Sequence, residues 1–73
     1  MMGTTYRITS HSSEASRIVR QTFAMLDISI RPVRYPNRVF DEQFETETPA
    51  EQLLRSQGLR VWGSRDNLHV EVR

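Results

Sequence analysis

The sequence predicts a small α+β domain in which an antiparallel sheet packs on one long and one short helix. Three observations predict this class. The stretch from Ser12 to Asp27 has the 3.6-residue apolar period of an amphipathic helix. Alternating apolar and polar runs, typical of strands, lie on both sides of it. A second helix signature begins near Thr48. A chain of 73 residues suits one domain, so we expect residues 1–73 to fold as a single unit.

The long helix should span Ser12 to Asp27. Ser12 or Ser13 is suited to cap the first backbone N–H groups, and Glu14 lies favourably near the positive end of the helix dipole. The apolar positions fall on one side and are expected to face the sheet. They are Ala15, Ile18, Val19, Thr22, Phe23, Met25 and Leu26.

Three extended runs are predicted in the first two thirds of the chain. Thr4 to Ser10 alternates and is rich in β-branched residues. Ile28 to Tyr35 alternates until Pro32, which lacks a ladder donor and indicates an edge strand or a break. Val39 to Glu47 follows, with Glu42 on the side expected to be buried. That position conflicts with the pattern and indicates a bulge or a solvent-exposed strand end.

The short helix has the best local signature. Thr48 fits the N-cap, Pro49 the first helical position, and Glu51 completes a capping box. The helix should run to about Gln57, and Gly58 should supply a left-handed C-cap.

The last part of the chain predicts a β-hairpin. Leu59 to Trp62 and Leu68 to Val72 are its strands, and residues 63–67 are its turn. Trp62 and Arg60 should then face away from the core. The element order is β-α-β-β-α-β-β, which fits either a ferredoxin-like split β-α-β with an added terminal strand or an irregular α+β meander.

Composition argues against several function classes. The absence of cysteine removes disulfides, thiolate zinc sites and cysteine nucleophiles, and favours a cytoplasmic protein. No apolar run is long enough for a transmembrane helix. Glycine-rich phosphate loops and nucleophile elbows are missing. His11 and His69 are expected to be solvated surface residues. We therefore expect no enzyme activity, no metal site and no cofactor.

One stretch of the chain is distinctive because all its charges, from residue 41 to residue 51, are negative. Carboxylates at alternate strand positions lie about 7 Å apart, close to the phosphate spacing of a nucleic-acid strand. The stretch therefore predicts a docking surface for a basic protein partner; the alternative is a solvated strand face with a well-capped helix. Trp62 beside Arg60 adds the composition of an interface hot spot, unless a loop covers the ring. The predicted partner-binding residues are Asp41, Glu42, Glu45, Glu47, Glu51 and Trp62.

The arginines support an alternative. All ten basic residues are arginine, a residue suited to bidentate contacts with phosphate. A set near the second strand and on the outer face of the long helix would line a nucleic-acid backbone. This set consists of Arg31, Arg34, Arg38, Arg17 and Arg20. The net charge of +1 makes nucleic acid the less favoured partner.

The sequence therefore predicts a small non-enzymatic protein-interaction module, an inhibitor or regulator of a larger protein or complex with a basic surface. The alternative is a nucleic-acid-binding or transcription-regulating module. Short, cysteine-free chains of mixed charge without catalytic motifs are similar in kind to phage-encoded proteins that block a host machine, such as anti-CRISPR proteins. That resemblance implies a nucleic-acid-handling complex as partner. An edge strand and an exposed tryptophan also fit a homodimer.

Overall fold

The computed structural model describes residues 3–34 and 42–73. Tyr35, Arg38 and residues 39–41 of the third predicted run lie outside the described residues. The described part contains five strands and two helices, in the predicted order. They are β1 (Tyr6–Ser10), α1 (Ser13–Met25), β2 (Arg31–Arg34), β3 (Glu42–Thr46), α2 (Glu51–Ser56), β4 (Leu59–Ser64) and β5 (Asn67–Val72).

The strands form one sheet in the order β2-β3-β1-β5-β4. β1 is antiparallel to β3 but parallel to β5, so the sheet is mixed and the prediction of a purely antiparallel sheet is wrong. The ferredoxin-like order is not confirmed, because β5 separates β4 from β1. In this inner position, Leu68 and Val70 of β5 are buried in the core.

Both helices pack on the same face of the sheet. A single cluster of buried side chains joins α1 and α2 to the strands; its largest members are Phe23, Phe44, Ile8, Leu54, Leu59 and Leu68. Within the described part of the chain, neither helix is long and apolar enough to cross a bilayer.

The N-terminus of α1 confirms the sequence prediction, since the hydroxyl of Ser12 accepts a hydrogen bond of 3.1 Å from the Ala15 N–H. The C-terminal end of the prediction needs correction. α1 ends at Met25, and Asp27 adopts a left-handed backbone conformation with φ 56°. Met25 and Leu26 consequently leave the buried face, and Met25 is 70% exposed.

The short helix begins later than predicted. Ala50, and not Thr48, is the N-cap of α2, and no side chain caps it. The Thr48 N–H instead donates to the hydroxyl of Thr46, which holds the preceding turn. The C-terminal prediction is confirmed, because Gly58 has a positive φ of 85°.

Pro32 lies where the sequence places it. β2 is an edge strand, and its pairing with β3 shifts register between Pro32 and Arg34.

Candidate functional site

Both helices cover one face of the sheet, and the opposite face, here called the open face, carries the alternate side chains of the strands. The open face has two halves. The half on β2, β3 and β1 carries charged groups, and the half on β5 and β4 carries aromatic rings. The principal side chains of the whole open face are Arg7, Arg31, Gln43, Glu45, Arg60, Trp62, His69 and Glu71.

The charged half is a chain of ion pairs, here called the Arg–Glu network. Arg7 Nη2 lies 3.0 Å from Glu45 Oε2, and Arg31 Nη2 lies 3.7 Å from Glu45 Oε1. Arg31 also binds Glu47 through two hydrogen bonds of 3.0 and 2.8 Å. These bonds lower the pKa of Glu47 and raise the pKa of Arg31. The network therefore neutralises the carboxylates of Glu45 and Glu47 within the chain.

The other described acids of the predicted docking surface are also paired. Glu51 binds Arg55 one turn further along α2, at 2.7 Å. Glu42 binds Arg20 of α1. Asp41 lies outside the described residues. A basic partner would therefore have to compete with arginines of this chain for every described acid of the set.

Glu42 differs from the rest because it is 1% exposed. The sequence predicts Glu42 on the docking surface, at a bulge or at a solvent-exposed strand end, whereas the structure buries it. Arg20 makes this burial tolerable: its guanidinium lies 5.3 Å from the centroid of the Phe44 ring and reaches Glu42 Oε2. Glu42 Oε1 has no hydrogen-bond partner among the described residues.

The arginines of the alternative prediction are not brought together. Arg20 reaches the helix-covered side of β3, whereas Arg31 binds Glu45 on the open face. Arg17 donates to the side chain of Gln21, 3.3 Å away on the same helix. Arg34 is the last residue of β2, and Arg38 lies outside the described residues. Arg20 of α1 and Arg31 of β2 therefore lie on opposite sides of the sheet.

The aromatic half contains three rings, here called the ring cluster: His11, Trp62 and His69. Their centroids lie 5.2 to 5.6 Å apart, and their planes are within 18° of parallel. Trp62 and His69 are direct cross-strand partners in the β4–β5 hairpin. His11 follows β1, and its backbone N–H donates to the Val70 carbonyl of β5. The ring cluster therefore depends on the parallel pairing of β1 with β5.

Within the ring cluster, His11 Nε2 and His69 Nδ1 are 3.0 Å apart and form a hydrogen bond. One ring must donate an N–H and the other must accept through a lone pair. Both histidines were expected to be solvated surface residues; both are half-buried on the open face, and the expectation did not include their contact. No local signal predicts the contact, because 58 residues separate the two positions.

Gly63 makes room for His69. Its φ is 100°, and a Cβ added there would lie 3.1 Å from His69 Cδ2 and 2.6 Å from the Asn67 carbonyl oxygen. Any other residue would be strained and would press on the imidazole. The absence of a side chain at Gly63 therefore leaves the space that the His69 ring occupies.

Polar contacts complete the edge of the ring cluster. Ser12 Oγ donates to Glu71 Oε1 at 2.5 Å, and this bond is the largest cause of the lowered pKa of Glu71. The Val72 N–H and the charges of His11 and Arg60 lower it further, against the effect of desolvation. The Arg60 guanidinium lies 4.9 Å from the Trp62 ring centroid, a cation–π contact.

The described residues contain no group of three or more histidine, cysteine or carboxylate side chains placed to hold a metal ion. No protein-family model, curated protein or solved structure matches the chain. Function must therefore be inferred from the open face itself.

Proposed function

We propose that this chain is a small non-enzymatic protein-interaction module, an inhibitor or regulator, that binds a larger protein through the open face around Trp62. One observation carries the proposal. Trp62 is 40% exposed, and it lies between Arg60 and two imidazoles on a face that the described helices leave uncovered. Tryptophan and arginine are the residues most enriched at interface hot spots.

The surroundings of Trp62 favour tight binding. The Trp62 ring stacks with the imidazoles of His11 and His69. It also contacts the guanidinium of Arg60, which lies two residues earlier on β4. A side chain already held by its neighbours loses little conformational entropy when a partner covers it. The ring is thus a preorganised anchor for an apolar recess on the partner.

The Arg–Glu network would form the rim of the interface. Its members are exposed ion pairs, which contribute little to stability in water, and the Glu47 side chain is 51% exposed. A basic group of the partner can therefore take the place of Arg31 beside Glu47. We accordingly expect a partner with an apolar recess for Trp62 and with arginine or lysine facing β3.

Differential affinity capture from cells that encode the protein tests the proposal. Trp62→Ala should lose a partner that the wild-type chain retains. Met25→Ser is the matched control. Met25 lies at the end of α1, outside the open face, and a larger fraction of it is exposed than of Trp62. Equal recovery with all three baits would contradict the proposal.

A charge exchange tests the rim. Glu45→Arg with Glu47→Arg should abolish capture without unfolding the chain. The exchanged pair Arg31→Glu with Glu47→Arg restores one ion pair with opposite polarity and serves as the control for stability. If the double reversal keeps its partner and its melting curve, the acidic rim takes no part in binding.

The ring cluster also favours a second candidate, a platform for single-stranded nucleic acid. Near-parallel exposed rings beside an arginine are the usual stacking surface for bases. The charges argue against it, since Arg7, Arg31 and Arg60 on this face are matched by Glu45, Glu47 and Glu71. This candidate predicts a gel shift that weakens steeply with salt and is lost on Arg31 and Arg34 substitution. No shift at low salt would remove it.

A further inference from the structure

The chain has two histidines and no cysteine. The two imidazoles lie within hydrogen-bond distance of each other on the open face. We propose that His11 Nε2 and His69 Nδ1 bind one divalent transition-metal ion, such as Cu²⁺, Ni²⁺ or Zn²⁺. The proposal is independent of the protein partner. It also differs from the sequence-based expectation of no metal site, which followed from the interpretation of both histidines as solvated surface residues.

The distance between the two nitrogens supports the site. Imidazole nitrogens bind zinc at 2.0–2.1 Å, so two of them on one ion lie about 2.9–3.4 Å apart for bond angles from about 90° to 109°. His11 Nε2 and His69 Nδ1 are separated by 3.0 Å. The two nitrogens are thus at a suitable separation, and both rings must turn away from the line that joins the nitrogens to direct their lone pairs at one ion.

The surroundings suit a cation with open coordination positions. Both imidazoles are partly exposed on the uncovered face, so water or a partner's side chain can complete the coordination. The Glu71 carboxylate interacts electrostatically with His11 and offsets the charge of Arg60, its cross-strand partner. The charge of Arg60 near the rings is consequently compensated by that of Glu71.

Metal binding changes one tautomer. Without metal, one of the two facing nitrogens carries the proton of the hydrogen bond. Coordination requires a lone pair on both. The proton must therefore leave that nitrogen, and a proton from solvent must occupy the other nitrogen of the same ring. One proton leaves the ring and one joins it, so this change of tautomer releases no net proton.

Trp62 provides a direct reporter, because it is the only tryptophan and lies 5.5 Å from His11 and 5.6 Å from His69. The untagged protein is titrated with Cu²⁺ and Ni²⁺ while Trp62 fluorescence is recorded, and Zn²⁺ is added as a competitor. We expect saturable quenching at one ion per chain, with Cu²⁺ the tightest and Mg²⁺ without effect. Absence of saturable quenching by Cu²⁺ would overturn the proposal.

Variants assign the ligands. His11→Gln and His69→Gln should each weaken Cu²⁺ binding by about ten-fold or more, an effect at least as large as the loss of an outer-shell partner. Glu14→Gln, an exposed carboxylate in the first turn of α1, is the matched control and should bind as the wild type does. Unchanged affinity in the double histidine variant would place the ion elsewhere and overturn the proposal.

A measurement on the unaltered chain guards against variants that fail to fold. With Zn²⁺, the ¹⁵N resonances of His11 Nε2 and His69 Nδ1 should both shift, and one ring should change tautomer. Shifts confined to one ring, or to the two outward nitrogens, would contradict the site. Partner capture is repeated in the presence of a chelator, which removes the metal ion. Partner binding without metal then tests the proposed function separately from the metal site.

Discussion

The imidazoles of His11 and His69 are joined by a 3.0 Å hydrogen bond across 58 residues of sequence. The contact is a direct product of topology. β1 and β5 run parallel with Thr9 opposite His69, so the residue that follows β1 comes to lie beside the His69 ring. The same pairing places both rings against Trp62. The ring cluster is therefore held by the pairing of β1, β5 and the edge strand β4, with His11 supplied by the short connection from β1 to α1.

Gly63→Ala should disrupt the ring cluster. The added Cβ would meet the Asn67 carbonyl oxygen at 2.6 Å and His69 Cδ2 at 3.1 Å, at a backbone φ that L-residues rarely adopt. We expect a loss of about 2–4 kcal/mol in the free energy of unfolding, measured in urea, and a changed Trp62 emission.

Gly58→Ala is the control for that change. Gly58 also has a positive φ, but nothing lies within 4 Å of a Cβ built there. It should cost only the backbone strain, about 1–2 kcal/mol, and leave Trp62 emission unchanged. Equal costs for both variants would show that contact with the His69 ring is unimportant.

Ser12→Ala should destabilise the chain more than an ordinary loss of a cap. The Ser12 hydroxyl accepts from the Ala15 N–H and donates to Glu71, so it joins α1 to β5. We expect the free energy of unfolding, measured by chemical denaturation, to fall by about 1–2 kcal/mol. Ser12→Asn should recover most of this, since its amide accepts and donates. If exposed Ser13→Ala costs as much as Ser12→Ala, the bridge contributes nothing.

Glu71 should give stability a defined pH dependence. The Ser12 hydroxyl, the largest cause, lowers the pKa of Glu71 in the folded chain below the ordinary value of about 4.3. Because the pKa of Glu71 is lower in the folded chain than in the unfolded chain, its ionisation stabilises the fold at pH values above the unfolded pKa. This stabilisation disappears as the pH falls through the folded pKa.

We accordingly expect the wild type to be more stable than Glu71→Gln at pH 7. The difference should be constant down to about pH 5 and should shrink below about pH 4. Thermal unfolding of both proteins across this range measures it. A difference that grows in acid would have the wrong sign for the Ser12–Glu71 bond.

Arg20→Ala should expose the cost of the buried Glu42. Glu42 is 1% exposed, and without Arg20 its carboxylate has no counter-charge among the described residues. We expect a loss of about 2–4 kcal/mol, reduced from the value for a wholly buried pair because the Arg20 side chain is 54% exposed.

Two comparisons isolate this effect. Arg17→Ala removes an exposed arginine of the same helix and should change stability by less than about 0.5 kcal/mol. Adding Glu42→Gln to Arg20→Ala should recover part of the loss, because a neutral amide is easier to bury. Equal stability of the two arginine variants would mean that Glu42 needs no counter-charge.

Local features of the fold were predictable. The Ser12 cap, the left-handed Gly58 and the edge position of Pro32 each depend on a few adjacent residues. Strand order was not predictable, because β5 takes its inner position through pairing with β1, a strand far away in sequence. The prediction of Thr48 as N-cap was wrong although its local signal was clear. In the structure, Thr48 belongs to a turn held by its hydrogen bond to Thr46.

The candidate site was predictable only in part. Alternation in the hairpin placed Trp62 and Arg60 on the open face, and the structure confirms that placement. Charge pairing was not visible, because an acidic run on β3 does not show that Arg7 and Arg31 lie on its neighbouring strands. Burial of Glu42 likewise depends on an arginine of α1.

The contribution of Trp62 to the affinity for the captured partner tests the central claim most directly. By isothermal titration calorimetry with the purified partner, Trp62→Ala should raise the Kd by about 30-fold or more, as expected for a hot spot of about 2 kcal/mol. Met25→Ser should leave the Kd unchanged. Equal Kd values for the wild type and Trp62→Ala would contradict the account.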